Sequence, residues 1–357
     1  MNQDAGIGPG RNKGAAVHLR AVRDAFRRLG ADVLEIDAVD ASEVAAALGA
    51  AAGLDLVYER YALGALAGSR FAREHGIAHV VEVNAPLMEE ERRYRARALP
   101  PGIEFAEREI FSHAACVLAV SNAVARYALA RGAAEAAILV RPNGVDTELF
   151  RPPDAREPAG RFVLGFHGRL RPWHNFEMLA EAAQRLVREG RDVHLVTVGA
   201  GDFAGAAAPH LPAARRTHVD WVEHGEVARL VARFDALPLT YAADPEFYFS
   251  PLKLFEAMAC GVVPVVPRLG DLAVLVEHER HGLAYDAGDT AQLVAALARL
   301  MDEPDLLRRL SRRACARARR HAWVDIARDV LRAVRTAARS PRSRRGSPSD
   351  LPAERRP

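Results

Sequence analysis

What this sequence lacks removes several functions at once. It holds three cysteines, Cys116, Cys260 and Cys315, which are scattered and form no C-x-x-C pair. A disulfide framework and a cysteine-based zinc site are excluded, and a reducing compartment is expected. No apolar run reaches the roughly eighteen residues of a membrane-spanning helix. The opening Met-Asn-Gln-Asp-Ala-Gly has neither a basic n-region nor an apolar h-region, so no secretory signal is read and a cytoplasmic location is expected. No H-E-x-x-H and no nucleophile-elbow spacing occur, and none of the thirteen histidines pairs convincingly as a metal ligand. Charge of one sign is scarce too. Lys plus Arg (49) against Asp plus Glu (46) leaves a formal net charge of +3, with much of the excess being arginine close to the C-terminus. No nucleic-acid partner is expected.

What is present is an alternation of short apolar runs and amphipathic stretches. Half of the residues are hydrophobic, enough to bury large cores, and 357 residues usually make two domains. Strands are expected at 31–37, 54–58, 79–83, 116–120 and 138–140, with helices between them. A second series has strands at 162–166, 193–198, 219–222, 236–239 and 262–266. This order argues for α/β architecture, each half a parallel sheet with helices on both faces. The Pro-rich stretch Arg151–Gly160 reads as a linker. Boundaries follow at 1–152, 158–320, a last helix over 321–338 and an Arg-Ser-Pro-rich tail over 339–357 that reads as disordered. Such a tail suits solvated disorder or peripheral contact with an anionic membrane face.

The most informative segment is Ser250-Pro-Leu-Lys-Leu-Phe-Glu-Ala-Met-Ala-Cys-Gly-Val-Val-Pro-Val-Val266. Pro251 sits near a helix start, Gly261 ends the helix, and Val262–Val266 suits a buried parallel strand. Lys253 and Glu256 then share one helical face. A cation, an acid and free backbone N–H groups converge where such a sheet binds ligands, which suits a nucleotide. A lone Lys/Glu pair is more often a solvated ion pair; the attached glycine and strand favour a site.

Other loops are weighed the same way. Gly165-Phe-His-Gly168-Arg169-Leu-Arg171-Pro-Trp-His174 puts glycine and two arginines after a strand, a phosphate-facing arrangement or a solvated basic loop. Gly199 and Gly201 end the next strand. Gly6–Gly14, with Gly8, Gly10 and Lys13, is neither a dinucleotide fingerprint nor a Walker loop, since Arg11 breaks the first and Lys13 precedes its glycine. It either holds an anion or turns the chain. In a doubly wound sheet such a loop follows a central first strand, yet only five polar or small residues precede Gly6. A start lying upstream, or a misassigned one, is therefore expected, because a sheet without that strand leaves unpaired backbone between its neighbours. Glu82, Asn84 and Ser121 lie at strand ends, and His18 lies on an amphipathic helix where a packed histidine is the plainer reading.

Taken in order, these segments resemble the family 4 retaining glycosyltransferases, the group 1 enzymes of GT-B fold. The resemblance rests on Ser250–Gly261, Lys13-Gly-Ala-Ala-Val-His18, Val57-Tyr-Glu-Arg-Tyr61, Glu82-Val-Asn-Ala-Pro-Leu87, Ala119-Val-Ser121, Pro142-Asn-Gly-Val-Asp146 with Phe150, Gly165–His174, and Gly282 with Gly288-Asp289. It covers about residues 4–338. It implies two Rossmann-like domains facing a cleft, with a C-terminal helix crossing back to the first. It also implies transfer of a sugar from a nucleotide-diphosphate sugar to an unidentified acceptor: a glycan, a lipid-linked molecule or a small molecule. The donor would sit on the second domain. Arg169 and Lys253 would hold the diphosphate and stabilise its leaving charge without a metal or other cofactor. Gly168, Arg171, His174, Gly199, Ser250, Pro251 and Leu254 would line the donor site, with Glu256 on the ribose hydroxyls. Gly10, Lys13, Gly14, His18, Glu82, Asn84 and Ser121 would lie on the acceptor side. Three positions depart from the family pattern. Tyr248 stands where a glutamate is usual, His174 where a lysine is usual, and Glu82 and Asn84 where a histidine is often found. The alternatives are a non-catalytic binding protein of the same fold and a nucleotide-sugar epimerase or hydrolase.

Overall fold

The computed structural model describes residues 1–3, 14–95, 99, 101–153 and 160–339. The chain forms two compact units. Unit 1 takes in residues 1–120, 124–141 and, at the far end of the described chain, 327–339; unit 2 takes in 121–123 and 142–326. The division falls between Arg141 and Pro142, ahead of the stretch read as a linker. The basic tail beyond Arg339 lies outside the described residues, as do Gly10 and Lys13. Among the described residues no helix is long and apolar enough to cross a membrane.

Unit 1 carries a parallel sheet of β1 (Leu56–Arg60), β2 (Ala78–Val83), β3 (Cys116–Ala119) and β4 (Ile138–Val140), in that spatial order. Around it run α1 (Gly14–Arg28), α2 (Ala41–Ala50), α3 (Ala67–Glu74), α4 (Leu87–Glu90), α5 (Ile103–His113) and α6 (Asn122–Leu129). The apolar β2 and β3 strands are buried along almost their whole length, as expected for strands covered on both faces. Glu107 of α5 is wholly buried and accepts from the hydroxyls of Tyr61 and Tyr127 and from Arg131 Nε, the last at 2.7 Å. One carboxylate thereby ties α5 to α6 and the end of β1.

The expected gap in this sheet is filled. Asn2 forms parallel bridges to both Asp37 and Arg60. The Met1 amine donates to Tyr58 O at 2.7 Å and Arg60 N donates to Met1 O at 3.2 Å. On the other side Asn2 N donates to Ile36 O at 2.9 Å and Ala38 N to Asn2 O at 3.3 Å. Met1 and Asn2 thereby pair Tyr58 O, Arg60 N, Ile36 O and Ala38 N, backbone groups on both sides of the gap. The segment 31–37, expected as a full strand, contributes only that bridge at Asp37.

Unit 2 carries a six-stranded parallel sheet in the order β10-β9-β8-β5-β6-β7. Its strands are β5 (Phe162–His167), β6 (Val193–Val198), β7 (Arg216–Val219), β8 (Ala236–Pro238), β9 (Val263–Pro267) and β10 (Leu283–Tyr285). Numbered from β5, this is the doubly wound order 3-2-1-4-5-6, which reverses direction between β5 and β8. The flanking helices are α7 (Phe176–Arg188), α8 (Phe203–Ala207), α9 (His224–Val231), α10 (Leu252–Ala259), α11 (Leu272–Leu275), α12 (Thr290–Asp302) and α13 (Pro304–Ala318); α14 (Trp323–Arg339) begins in unit 2 and belongs to unit 1 from Ala327 on. The expected strand at 219–222 is observed earlier, as β7, and β10 was not foreseen because three residues carry too short a pattern to read. Separate hydrophobic clusters cover the two faces, one holding Phe234, Leu254, Phe255 and Met258, the other Leu164, Phe166, Leu179 and Leu297.

Gly165 shows how tightly the first of these faces packs on β5. A Cβ there would stand 1.8 Å from the fully buried Phe234 ring. Gly165→Ala should therefore lower unfolding stability by about 1–3 kcal/mol. Chemical denaturation checks this, and a midpoint equal to wild type would refute the contact.

Candidate functional site

The site is built at the carboxyl end of β5, beside the switch in strand order, where open parallel sheets leave a crevice. Two glycine turns form its floor. Gly168, with φ +106°, follows β5, and Gly199, with φ +121°, follows β6. A Cβ on Gly199 would lie 2.5 Å from Gly168 O, so only glycine lets the turns close on each other. Gly168 N donates to Val198 O at 2.8 Å and Leu170 N to Ala200 O at 2.9 Å, which zips the two loops together. Arg169 extends from this floor, exposed and without an ion pair among the described residues.

The expected segment Ser250–Val266 folds as a loop, helix α10, a glycine stop and β9. Gly261 adopts φ +76° at the helix end. Pro251 is the N-cap of α10 and no side chain caps its first turn. Lys253 comes over the floor: a Cβ on Gly168 would lie 3.7 Å from Lys253 Nζ. Nζ also lies 3.9 Å from the Phe166 ring centroid and 3.3 Å from His174 Nε2. Among the described residues it forms no ion pair with a carboxylate. Loss of hydration draws its pKa down to about 7, against the pull of Glu256.

Glu256 faces a different set of partners. Its Oε2 lies 2.8 Å from His167 Nε2 and its Oε1 lies 3.1 Å from His224 Nε2. Burial pushes this carboxyl up, but the two imidazoles together outweigh it and hold the pKa at about 2. Burial also lowers the pKa of His167. Each Glu256 oxygen thus accepts from one histidine, and the carboxylate keeps further lone pairs. His167 was on the page as part of the strand end; His224 carried no local signal at all.

Other expected donor residues divide in the same way. Ser250 is buried, and its Oγ accepts from Asn143 N at 2.8 Å while Asn143 Nδ2 donates to Ser250 O at 2.8 Å. It fastens α10's leading loop to the Pro142–Asn143 turn. Leu254 is fully buried in the core and its amide is spent on Pro251 O, so it offers no polar group to a ligand. His174 stays close to Lys253, with burial, then Lys253 and Arg171, drawing its pKa down to about 3. It is an uncharged imidazole in the place of a lysine. The Arg171 guanidinium lies 5.7 Å from the Trp173 ring centroid. Tyr248 is buried against Phe249, 4.3 Å between centroids, and Phe249 in turn stacks on Trp173 and Tyr241 at 5.9 and 6.0 Å. An aromatic cluster thus occupies the position of the usual glutamate.

In unit 1, His18 Nε2 on α1 lies 2.5 Å from Glu82 Oε1 on β2, and both side chains are about 2% exposed. Burial pushes Glu82 up, while His18, with help from Arg60 and Tyr58, brings it to about 2. Both residues are packed behind the surface. Asn84, partly buried, keeps an Nδ2 with no hydrogen-bond partner among the described residues. Ser121 is buried just before α6, and Gly14 opens α1. Among the described residues no three His, Cys, Asp or Glu side chains group so as to hold a metal ion.

Because the folded pKa of Glu256 is depressed, its contribution is present above about pH 4.5 and is lost as pH falls toward about 2. Glu256→Gln should cost on the order of 2 kcal/mol at pH 7. The gap from wild type should shrink progressively between pH 5 and pH 2. Denaturant titrations across that range check it, and a pH-independent gap would contradict it.

Two family models match this chain. The "Glycosyl transferase 4-like domain" matches residues 5–144 and "Glycosyl transferases group 1" matches residues 161–303. Curated relatives include D-inositol 3-phosphate glycosyltransferases. That of Saccharomonospora viridis is 34% identical over 233 residues, covering 58% of this chain and 53% of the relative; that of Segniliparus rotundus is 29% identical over 212 residues, covering 56% and 47%. The matched part spans about half the length of these relatives. Among solved structures, Anabaena HepE in complex with UDP has a TM-score of 0.72 at 21% identity, covering 94% of this chain and 98% of that one. Sucrose-phosphate synthase from Thermosynechococcus elongatus has a TM-score of 0.69 at 19% identity, covering 90% and 93%. With the two parallel sheets and the doubly wound order of unit 2, these matches establish that the chain belongs to the group 1 glycosyltransferases and has the GT-B fold.

Proposed function

We propose that this protein transfers a glycosyl group from a nucleotide-diphosphate sugar to an acceptor hydroxyl, with retention of anomeric configuration. The observation that carries this reading is the cradle of Gly168, Gly199, Lys253 and the uncapped first turn of α10, with Arg169 beside it. A half-buried cation without a carboxylate partner, set over backbone that can approach closely, suits a diphosphate. Relatives named as glycosyltransferases, and a neighbour solved with UDP-glucose, support the choice of donor class.

In this reading the bond between the sugar's anomeric carbon and the β-phosphate oxygen breaks as the acceptor oxygen bonds to that carbon on the same face. The acceptor proton passes to the leaving phosphate. Lys253, Arg169 and the α10 amides stabilise the charge that develops on the diphosphate. Their positive charge fills the role a divalent cation would otherwise take. His167 and His224 keep Glu256 ionised and fixed, so the acid orients the start of α10 and balances the cationic floor. Unit 1 is assigned to the acceptor. Inositol 3-phosphate is the first acceptor to try, because it is named in the relatives.

The Tyr248 aromatic cluster favours a second reading, a binding protein that holds the nucleotide without transfer, since Tyr248 stands where the family usually has a glutamate. Incubation with a panel of nucleotide sugars, with and without acceptor, separates the two. Nucleoside diphosphate release that depends on acceptor is expected; tight binding with no release would favour the second reading. Arg169→Ala or Lys253→Ala should slow release by about 100- to 1000-fold. Unchanged rates in both variants would refute the assigned roles.

A further inference from the structure

The hydrogen-bond valence of His174 limits the charge of Lys253. His174 Nδ1 accepts the Arg171 backbone N–H at 3.2 Å. A neutral imidazole with an accepting Nδ1 carries its proton on Nε2. That Nε2–H faces Lys253 Nζ at 3.3 Å. An amine has a lone pair to accept it, whereas an ammonium has three N–H donors and none. The contact is therefore a hydrogen bond when Lys253 is neutral and a donor–donor clash when it is charged. Reversing the tautomer only moves the clash to the Arg171 amide. The ring is not free to swing aside, because the His174 carbonyl accepts from Thr240 Oγ1 at 2.8 Å and Phe166 and Tyr241 pack against it at 5.2 and 5.7 Å.

The other groups facing Lys253 pull in both directions. Glu256, one turn along α10, favours the ammonium, but its oxygens are occupied by His167 of β5 and His224 of α9. The Phe166 face, 3.9 Å from Nζ, favours a cation as well. Loss of hydration opposes one. A diphosphate changes this balance, since its oxygens accept from both Nζ–H and Nε2–H and add negative charge beside Nζ.

We propose that binding of a nucleotide diphosphate in the Gly168–Gly199–Lys253 cradle is coupled to uptake of one proton from solvent by Lys253, and that His174 is the positioning residue that sets this coupling. The inference rests on the nucleotide reading of the site and adds its proton linkage. The bound ligand raises the Lys253 pKa from its lowered value, so uptake occurs above about pH 7 and fades below it. In that upper range affinity should weaken about tenfold per pH unit.

Calorimetric titration with UDP-glucose, and with GDP-mannose as a second probe, tests this in buffers of different ionisation enthalpy. Neither diphosphate diester titrates in the range used. The dependence of heat on buffer should show close to one proton taken up at pH 8 and roughly 0.1–0.2 at pH 6. Lys253→Arg, a permanent cation, should bind with that uptake abolished. His174→Asn, whose carbonyl can accept from an ammonium, should move the onset of uptake upward by a pH unit or more. Binding without uptake at pH 8, or uptake that persists in Lys253→Arg, overturns the coupling alone. An unchanged profile in His174→Asn overturns the role of His174. Failure of both nucleotide sugars to bind at any pH overturns the nucleotide reading, and the coupling with it.

Discussion

Lys253 and Glu256 lie on one face of α10, yet they do not neutralise each other. Glu256 spends both oxygens on His167 and His224, which leaves Lys253 over the glycine floor with an aromatic face and an imidazole for company. Holding a cation out of water without a counter-ion costs folding free energy, several kcal/mol in the fully buried limit. The fold tolerates it because Nζ is only partly withdrawn from solvent and because Phe166 offers its ring. An anion arriving at that point gains the interaction that the protein left unmade. The two histidines thus shape the site through an acid they satisfy rather than through any ligand they touch.

The sheet puts this unsatisfied charge in one place. β5 lies at the reversal of strand order, so the loops leaving β5 and β8 diverge and expose the backbone between them. Gly168 and Gly199 then bring two turns into contact that side chains would hold apart. Ser250, clasped by Asn143, sets where α10 begins, and Leu254 and Phe255 anchor its other face in the core. Arg169, by contrast, is exposed.

Unit 1 obeys the same backbone accounting with fewer residues. Met1 and Asn2 pair with both neighbours, and the side chains of Asn2 and Gln3 are buried against Asp37 and Glu59. Sequence pattern misses such a strand, since polar residues carry no apolar period. The burial of His18 with Glu82 follows the same logic. A histidine on an amphipathic helix and an acid in an apolar strand, 64 positions apart, are brought together only by the fold.

Element type and order were legible along the chain, because periodicity is local: Ile138–Val140 and Val193–Val198 appear as read, and the α10 segment has the helix, glycine stop and strand its residues imply. Family membership was legible too, because Ser250–Gly261 and Gly165–His174 keep their residue types in order. Partner choice was not. The protein partners of Glu256 and Ser250 carried no local signal: the first meets a histidine 89 positions away and the second an asparagine 107 positions away. Hydrogen-bond valence is settled only when distant groups compete for the same oxygens. It was that competition, rather than any local motif, that left Lys253 as the cation without a carboxylate.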